Sequence, residues 1–276
     1  MSGDAMSGDA MSGATAAYGV MVRDLKRAAR QRGRLLGGIA RPLLWLALVA
    51  TGLDTIARVD GVSSYRAFAL PGVVIMASLF GAMLTAIGTV YDRELGMLRA
   101  MLASPAGVPS LLAGRAAGAT LIGAAQGAAV LALAPLLIGP GSGGSHLLAA
   151  AAALLGCSLV NALLGLAVAA PLRSVENFAG VINTVLFPLL FASGALYPVG
   201  GLPAPLRALA RANPVTYEVD LLRQSMGLPG ELAAGVDVAV LALAAAVAFV
   251  AAALLFDPEA RLVTVRGSGG RGRNRG

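Results

Sequence analysis

Long apolar stretches, separated by short polar ones, dominate this chain. A membrane-crossing helix needs about 20 mostly apolar residues. Six stretches meet that requirement, and we predict spans at about 37–55, 68–90, 116–138, 147–172, 178–196 and 236–256. A signal peptide is the alternative for the first stretch, but the roughly 40 residues before it are too many for a signal-peptide basic region. The pattern therefore predicts an all-α integral membrane protein with six transmembrane helices.

The segments outside these spans divide into two tails and a basic helix. Residues 1–16 repeat the unit MSGDA without an apolar period, so we predict a disordered tail there. The segment Arg23–Leu36 carries six basic residues and is predicted to be an interfacial helix on the cytoplasmic membrane surface. A solvated arm that only binds anionic lipid is the alternative. Residues 17–256 then form the transmembrane domain, and 257–276 a basic cytoplasmic tail.

The composition agrees with a chain whose main solvent is lipid. It is 57% hydrophobic and 13% charged, with a mean hydropathy of +0.78, whereas soluble domains carry about 25% charged residues. The net charge of +7 is dispersed between apolar runs and has few aromatic residues beside it. This is not the clustered basic surface of a nucleic-acid-binding protein, so we predict no nucleic-acid partner.

The distribution of basic residues predicts the orientation. Sixteen of the 21 fall on the side that holds both termini in a six-span topology, and five fall on the other side. The positive-inside rule then places both termini and the segment after the second span in the cytoplasm. Abundant alanine, glycine and arginine beside a single lysine are typical of a GC-rich bacterial genome. We therefore predict a multi-pass protein of the bacterial cytoplasmic membrane.

Several kinds of chemistry are absent from the sequence. The single cysteine, Cys157, and the single histidine, His146, allow no internal disulfide and make a zinc site implausible. The only lysine, Lys26, follows "RDL" and not a glycine-rich loop, so the chain has no P-loop for ATP. No acidic residue falls in the middle of a predicted span, which argues against an ion-coupled carrier. We predict no cofactor in this chain and no enzymatic activity.

The stretch "YDRELGMLRAMLASPAG" between the second and third spans is the strongest candidate for a docking site. Leu95, Leu98 and Leu102 fall on one face of a short helix that Pro105 ends. Four charged residues surround these leucines in the sequence: Asp92, Arg93, Glu94 and Arg99. An apolar patch with a charged rim is typical of a protein interface. A loop that merely rests on lipid headgroups is the alternative.

The segment after the fifth predicted span is unusually rich in helix-breaking residues. Pro188 interrupts the span, and Gly194, Tyr197 and Pro198 mark further breaks. Non-helical backbone persists at membrane depth only where protein or water satisfies it, so we predict an outer re-entrant hairpin between spans five and six. A surface helix with Leu202, Leu206 and Leu209 on one face is expected next, and it ends at Asn213-Pro214. An ordinary amphipathic loop is the alternative.

Polar residues inside the predicted spans have two interpretations. The polar residues are Gln126, Ser158, Asn161 and Asn183. Ser158 and Asn161 lie three positions apart and share one helix face. These side chains either line a substrate path or form hydrogen bonds between helices, which contribute about 0.6–2 kcal/mol each.

Two of these stretches resemble the ABC-2 family of ATP-binding-cassette exporter permeases. "DRELGMLRAMLASPAG" is similar to the family's cytoplasmic coupling segment, including Glu94, Gly96 and Pro105. "SGALYPVGGLPAPLRALARANPVTYEVDLLR" is similar to a longer family signature. The signature positions matched include Gly194, Tyr197, Pro198, Leu202, Pro203, Asn213, Pro214, Tyr217 and Asp220. The coupling segment departs from the family at Met97, a common threonine position, and at Arg99, where the family often has an acid.

The resemblance implies a function that the composition alone does not. Members of the family pair two permease chains with two cytoplasmic ATPase subunits, which bind ATP and Mg²⁺, and the coupling segment transmits their movement. For this chain it implies the transmembrane subunit of an exporter, most simply a homodimer, for a hydrophobic or amphipathic molecule, a lipid or a glycan. The alternatives are an ion-coupled transporter or channel without an ATPase, and a membrane scaffold that transports nothing.

Overall fold

The structure is a computed structural model that describes residues 3–55, 62, 64–97, 107–138 and 146–269. Within these ranges the side chains of residues 3–12, 137 and 257–269 are not described. Every regular element among the described residues is helical. This confirms the predicted all-α class.

The N-terminal part consists of three helices joined end to end. They are α1 (Gly3–Arg30), α2 (Arg32–Trp45) and α3 (Thr51–Asp54), with a π-helical turn at Leu46–Ala50 between the last two. Residues 3–16 lie within α1 in the structure, and the domain boundary at residue 16 stays a prediction. This helix approaches the third span closely at Gly13, where a Cβ would lie 2.9 Å from Ser110 Oγ.

The predicted basic interfacial helix is not a single helix in the structure. Its backbone breaks at Gln31, whose ψ of 52° is not helical, so the basic residues are divided between α1 and α2. Lys26, Arg30, Arg32 and Arg34 are exposed, whereas Arg23 and Arg27 are half-buried. The break lets the chain turn from the surface of the bundle into the first span.

The central helices are α4 (Tyr65–Glu94), α5 (Gly107–Ile138), α6 (Leu147–Ala169) and α7 (Val175–Phe191). The Ser64 side chain caps α4 by accepting a hydrogen bond from Ala67 N at 3.2 Å, and Ser174 caps α7 in the same way. Helix α4 occupies the middle of the bundle and packs against α5 and α6. A Cβ at Gly81 would lie 2.7 Å from Gly123 Cα, so glycines allow the close approach of α4 and α5.

The C-terminal part begins with a short 3₁₀ turn at Val199–Gly201. It continues with α8 (Ala204–Ala212), α9 (Pro214–Ser225) and α10 (Ala234–Gly269). Helix α9 packs against α4, α6 and α10. Helix α10 runs on to Gly269, so the predicted tail starts within a helix.

Five segments among the described residues are long and apolar enough to cross a membrane. They are Arg32–Asp54, Tyr65–Glu94, Gly107–Leu136, Leu147–Ala169 and Ala234–Phe256. They correspond to predicted spans one to four and six, and the chain is a multi-pass membrane protein. The fifth predicted span corresponds to α7, whose 17 residues extend about 25 Å at 1.5 Å per residue. The total of six crossings, the re-entrant hairpin and the orientation stay predictions.

Candidate functional site

The last turn of α4 carries a buried carboxylate that three arginines surround. The Asp92 side chain is fully buried. Arg23 Nη2 lies 2.8 Å from Asp92 Oδ2, and Arg27 Nη1 lies 3.0 Å from Asp92 Oδ1. Arg115, also fully buried, forms an ion pair with Asp92 and donates to Thr89 Oγ1 at 2.9 Å. Asp92 therefore joins α1, α4 and α5 at one point.

Asp24 adds a second carboxylate to this arginine cluster. It lies 3.0 Å from Arg23 and 3.9 Å from Arg115. Burial alone would lower the pKa of the Arg23 guanidinium, but the carboxylates of Asp24 and Asp92 outweigh burial and raise that pKa above its ordinary value. A buried charge is tolerated only when it is paired in this way.

Arg93 and Glu94, the two residues after Asp92, tie the end of α4 to the connection between α6 and α7. Arg93 Nη1 donates to the carbonyl oxygens of Ala169 at 3.1 Å and Leu172 at 2.6 Å. Glu94 Oε1 accepts a hydrogen bond from Val175 N at 2.8 Å. The sequence places both charges at the rim of a docking patch. In the structure these two residues and Asp92 bind other parts of the same chain, and their place at the rim of a docking patch stays a prediction.

The apolar residues that follow α4 are exposed. Gly96, with a φ of 72°, ends the helix in a conformation that favours glycine. Leu95 is 68% exposed and Met97 is 44% exposed. Three other residues of the predicted coupling segment, Leu98, Leu102 and Pro105, lie outside the described residues. The described part thus presents apolar side chains directly beyond a firmly anchored helix end.

The predicted outer segment, residues 188–223, turns sharply in its first half, directly after α7. Pro188 lies inside α7 and does not end it. The helix ends three residues later, before Gly194, which has a φ of 73°. The Tyr197 hydroxyl donates to Phe191 O at 2.6 Å, and Pro198 leads into the 3₁₀ turn.

The second half of the outer segment is held by the matched signature residues. Pro203 precedes α8 as its N-cap, and Asn213 caps α9 by accepting from Val215 N at 3.0 Å. Leu202 is the C-cap of the 3₁₀ turn, Pro214 begins α9, and the Tyr217 hydroxyl donates to Arg211 O at 2.8 Å. The exposed Leu206 and Leu209 leave one face of α8 uncovered, as a surface helix requires.

Asp220 and Arg223 complete the outer segment from α9. Asp220 accepts hydrogen bonds from Glu231 N at 2.8 Å and Leu232 N at 3.0 Å. Arg223 donates to Gly194 O at 2.9 Å, and its guanidinium lies 4.3 Å from the centre of the Phe68 ring. The signature residues therefore brace the turn after α7 against α9 and α4.

The predicted in-span polar residues divide into three separate places. Ser158 and Asn161 lie together and fully buried in the middle of α6. Gln126 is buried on α5, where its Nε2 donates to Leu35 O at 3.4 Å. Asn183 is exposed on α7. The structure favours helix contacts for the first three and leaves the substrate path as an interpretation for Asn183.

The buried pair on α6 meets a carboxyl that the sequence analysis missed. Asn161 Nδ2 donates to Glu218 Oε2 on α9 at 3.0 Å and lies 3.4 Å from Ser78 Oγ on α4. Ser78 and Ser158 share a hydrogen bond of 2.9 Å. Helix α9 is outside the five candidate spans, yet Glu218 is fully buried. Burial raises the pKa of the Glu218 carboxyl well above its ordinary value, and the Asn161 hydrogen bond offsets part of that rise.

A periodic signal for this burial is present in the sequence. Val215, Val219 and Leu222 recur at helical spacing and are all buried. Glu218 falls on the same face of α9, one position before Val219. Reading α9 as a buried helix, and not as the end of an outer loop, would have placed Glu218 inside the bundle.

No cluster of three or more metal-ligand side chains occurs in the part of the chain that the structure describes. The described residues instead form an anchored helix end at α4, a braced segment after α7 and a buried polar cluster between them. At each of these places, side-chain contacts join several helices of the bundle.

Comparison with known proteins finds a matching family and several relatives. Residues 16–226 match the family described as ABC-2 type transporter. The chain is 30% identical over 198 residues to "Nodulation protein J" of Rhizobium leguminosarum bv. viciae, which covers 70% of this chain and 74% of that protein. It is 31% identical over 200 residues to "Putative transport permease ycf38" of Porphyra purpurea, covering 70% and 68%.

A more distant relative carries a more specific name. "Probable multidrug ABC transporter permease YbhR" of Escherichia coli (strain K12) is 28% identical over 163 residues. That match covers 58% of this chain and 44% of the relative.

Proposed function

Because the chain belongs to the ABC-2 type transporter family, we propose that it is the transmembrane subunit of an ATP-driven exporter. A separate ATPase subunit would bind ATP and Mg²⁺ and hydrolyse ATP. The sequence supports this division, since its single lysine lies outside any glycine-rich loop. The protein is therefore proposed as a transporter component and not as an enzyme.

The observation that carries the proposal is the anchoring of the α4 end. Asp92 ties that end to α1 and α5, and Arg93 and Glu94 tie it to the connection between α6 and α7. The exposed Leu95 begins the segment that we propose docks on the ATPase. A push on this segment would therefore move several helices together, because the charged contacts resist local bending.

The cargo we propose is hydrophobic or amphipathic, a class that includes lipids and glycans with a lipid part. An apolar cavity of about 120 Å³ supports it, lined among others by Trp45, Met76 and Phe187. A cavity of this size accommodates part of such a molecule, for example a segment of an acyl chain.

We further propose that two copies of this chain assemble with two ATPase subunits in a bacterial cytoplasmic membrane, with both termini in the cytoplasm. The orientation rests on the sixteen-to-five distribution of basic residues. The exposed face of α7, which includes Asn183, Phe187 and Phe191, is available for contact with a second copy. Nucleic acid has no role in this assembly.

Transport into proteoliposomes tests the proposal. The chain would be purified with the P-loop ATPase that accompanies it, reconstituted, and assayed with a fluorescent amphipathic dye. We expect dye movement that needs ATP and is lost when the partner's P-loop lysine is replaced by alanine. Equal movement with that inactive partner, or without any partner, would contradict an ATP-driven exporter.

One observation favours a second candidate, transport coupled to an ion gradient. Glu218 is a fully buried acid, and such groups occur in proton-coupled carriers. The same proteoliposomes distinguish ATP-driven export from transport coupled to an ion gradient. Movement driven by a pH gradient in the absence of ATP and the ATPase would favour this candidate.

A further inference from the structure

Glu218 on α9 and Asn161 on α6 meet at a contact that excludes solvent. Both side chains are fully buried. One hydrogen of the Asn161 amide points to Glu218 Oε2 at 3.0 Å, and the same nitrogen lies 3.4 Å from Ser78 Oγ. Since an amide nitrogen has two hydrogens, these two contacts use its full capacity as a donor.

Two oxygen atoms at this contact have no hydrogen-bond partner among the described residues. They are Glu218 Oε1 and Asn161 Oδ1, and both are buried. An ionised carboxylate only accepts hydrogen bonds, as does the amide oxygen, so neither atom satisfies the other. A proton on Glu218 Oε1 would change this. It would donate to Asn161 Oδ1 and complete a cyclic acid–amide pair with two hydrogen bonds.

The charged surroundings also favour a neutral carboxyl. The structure describes these titratable and charged side chains on α9 and on the elements packed against it: Tyr65, Arg66, Tyr91, Asp92, Arg93 and Glu94 on α4, Cys157 on α6, Arg207 and Arg211 on α8, Tyr217, Asp220 and Arg223 on α9, and Asp237 on α10. No salt bridge reaches Glu218 from the described residues. Arg223 is directed to Gly194 O and Asp220, and Arg66 pairs with Asp54.

The titratable side chain in contact with Glu218 does not stabilise a negative charge. Cys157 Sγ lies 3.8 Å from the backbone oxygen of Glu218, and its thiol is neutral in an apolar interior. A buried charge without a cation is strongly disfavoured, and the group takes up a proton instead.

We propose that Glu218 is a proton-holding site of the helix bundle. In the closed arrangement seen here the carboxyl is protonated and paired with Asn161. When α9 separates from α6 and water enters, Oε1 releases its proton to water and the carboxylate becomes hydrated. Opening of this contact therefore releases one proton, and closing takes one up. The proposal goes beyond an ATP-driven exporter and does not depend on the partner ATPase.

Infrared spectroscopy of the purified full chain tests this directly. The carbonyl stretch of a protonated carboxyl is separate from the bands of a carboxylate and shifts in D₂O. We expect a protonated band at neutral pH in the parent protein that is missing from Glu218→Gln, which keeps the side-chain shape. Asn161→Leu should move the band to higher frequency, because it removes both hydrogen bonds. Asp220→Asn is the matched control, a buried acid on the same helix whose loss should leave the band unchanged.

The parent protein alone supplies a second measurement, which remains valid if a variant fails to fold. Its spectrum would be followed from about pH 6 to about pH 10, well above the ordinary glutamate pKa of about 4.3. Persistence of the protonated band at neutral pH supports the proposal. If neutral pH shows no protonated band, or if Glu218→Gln removes only carboxylate bands, the proposal is overturned. A buried water that donates to both oxygens would then be the better account.

Discussion

Asp92 and Arg115 are both fully buried and form an ion pair that joins α4 to α5 across 23 positions of sequence. This pair lies beside the segment that we propose receives the ATPase. Its strength should therefore decide whether movement at that segment reaches the spans.

Breaking this pair should destabilise the protein strongly. Removing one partner of a buried ion pair leaves an uncompensated charge and costs about 3–5 kcal/mol. We expect Asp92→Ala to lower the thermal unfolding temperature of the purified protein by an easily measured amount. Glu176→Ala is the control, because Glu176 is an exposed acid near the start of α7, and surface substitutions of this kind change stability by about 0.5 kcal/mol or less. Equal shifts for the two variants would show that the Asp92 cluster is not a structural anchor.

Substitution of Gly194 should impair transport without removing the protein from the membrane. Gly194 has a φ of 73°, and a Cβ there would lie 2.7 Å from Val199 Cγ2. Leucine at this position is strained by about 1–3 kcal/mol from the backbone alone. Gly201→Leu is the matched control, because nothing lies within 4 Å of a Cβ at Gly201. Membrane blots and dye transport measure both variants. Normal export by Gly194→Leu would mean that the turn after α7 is not tightly packed.

Cysteine labelling in intact cells should report the orientation. Gly33 and Gly201 both lie in open space, and the only native cysteine, Cys157, is buried. An impermeant thiol reagent should label Gly201→Cys in intact cells, but Gly33→Cys only after the membrane is opened. The reverse result would overturn the orientation that the basic residues predict.

The contribution of Glu218 to stability should fall as pH rises. A carboxyl whose pKa is raised in the folded protein stabilises the fold fully at pH values below its ordinary pKa. This stabilisation is lost as pH rises toward the raised pKa. We expect the unfolding free energy of the parent protein, relative to Glu218→Gln, to decrease by up to about 1.4 kcal/mol per pH unit above about pH 4.3. Thermal unfolding in detergent at several pH values measures this difference. A difference that does not change with pH would contradict a raised pKa.

The sequence predicts the spans well because lipid imposes a simple requirement of length and apolarity. Predicted spans one to four and six each correspond to an apolar helix of the structure. The fifth was more difficult, because α7 ends at Phe191 and the apolar run continues into the turn at Gly194. Apolar composition alone does not distinguish a helix from a packed turn.

The sequence patterns could not predict contacts between residues that are far apart along the chain. Asp92 looks like a surface charge beside a docking helix, and only the folded bundle brings Arg23, Arg27 and Arg115 around it. Glu218 was missed for a related reason. Its segment follows a predicted surface helix, so α9 was not expected inside the bundle.

Co-purification of the ATPase tests the central claim most directly. Burial of a leucine contributes about 1.5–3 kcal/mol, so losing Leu98 and Leu102 from an interface should weaken association by about 10²–10⁴-fold. The double variant Leu98→Asp and Leu102→Asp should therefore lose the partner ATPase and ATP-dependent transport, while its amount in the membrane stays normal. Leu206→Asp with Leu209→Asp is the matched control, because these exposed leucines lie on α8, which we place on the opposite side of the membrane. Our account predicts that this control retains the ATPase. It would be contradicted if the Leu98/Leu102 variant still bound the ATPase and exported at the parental rate.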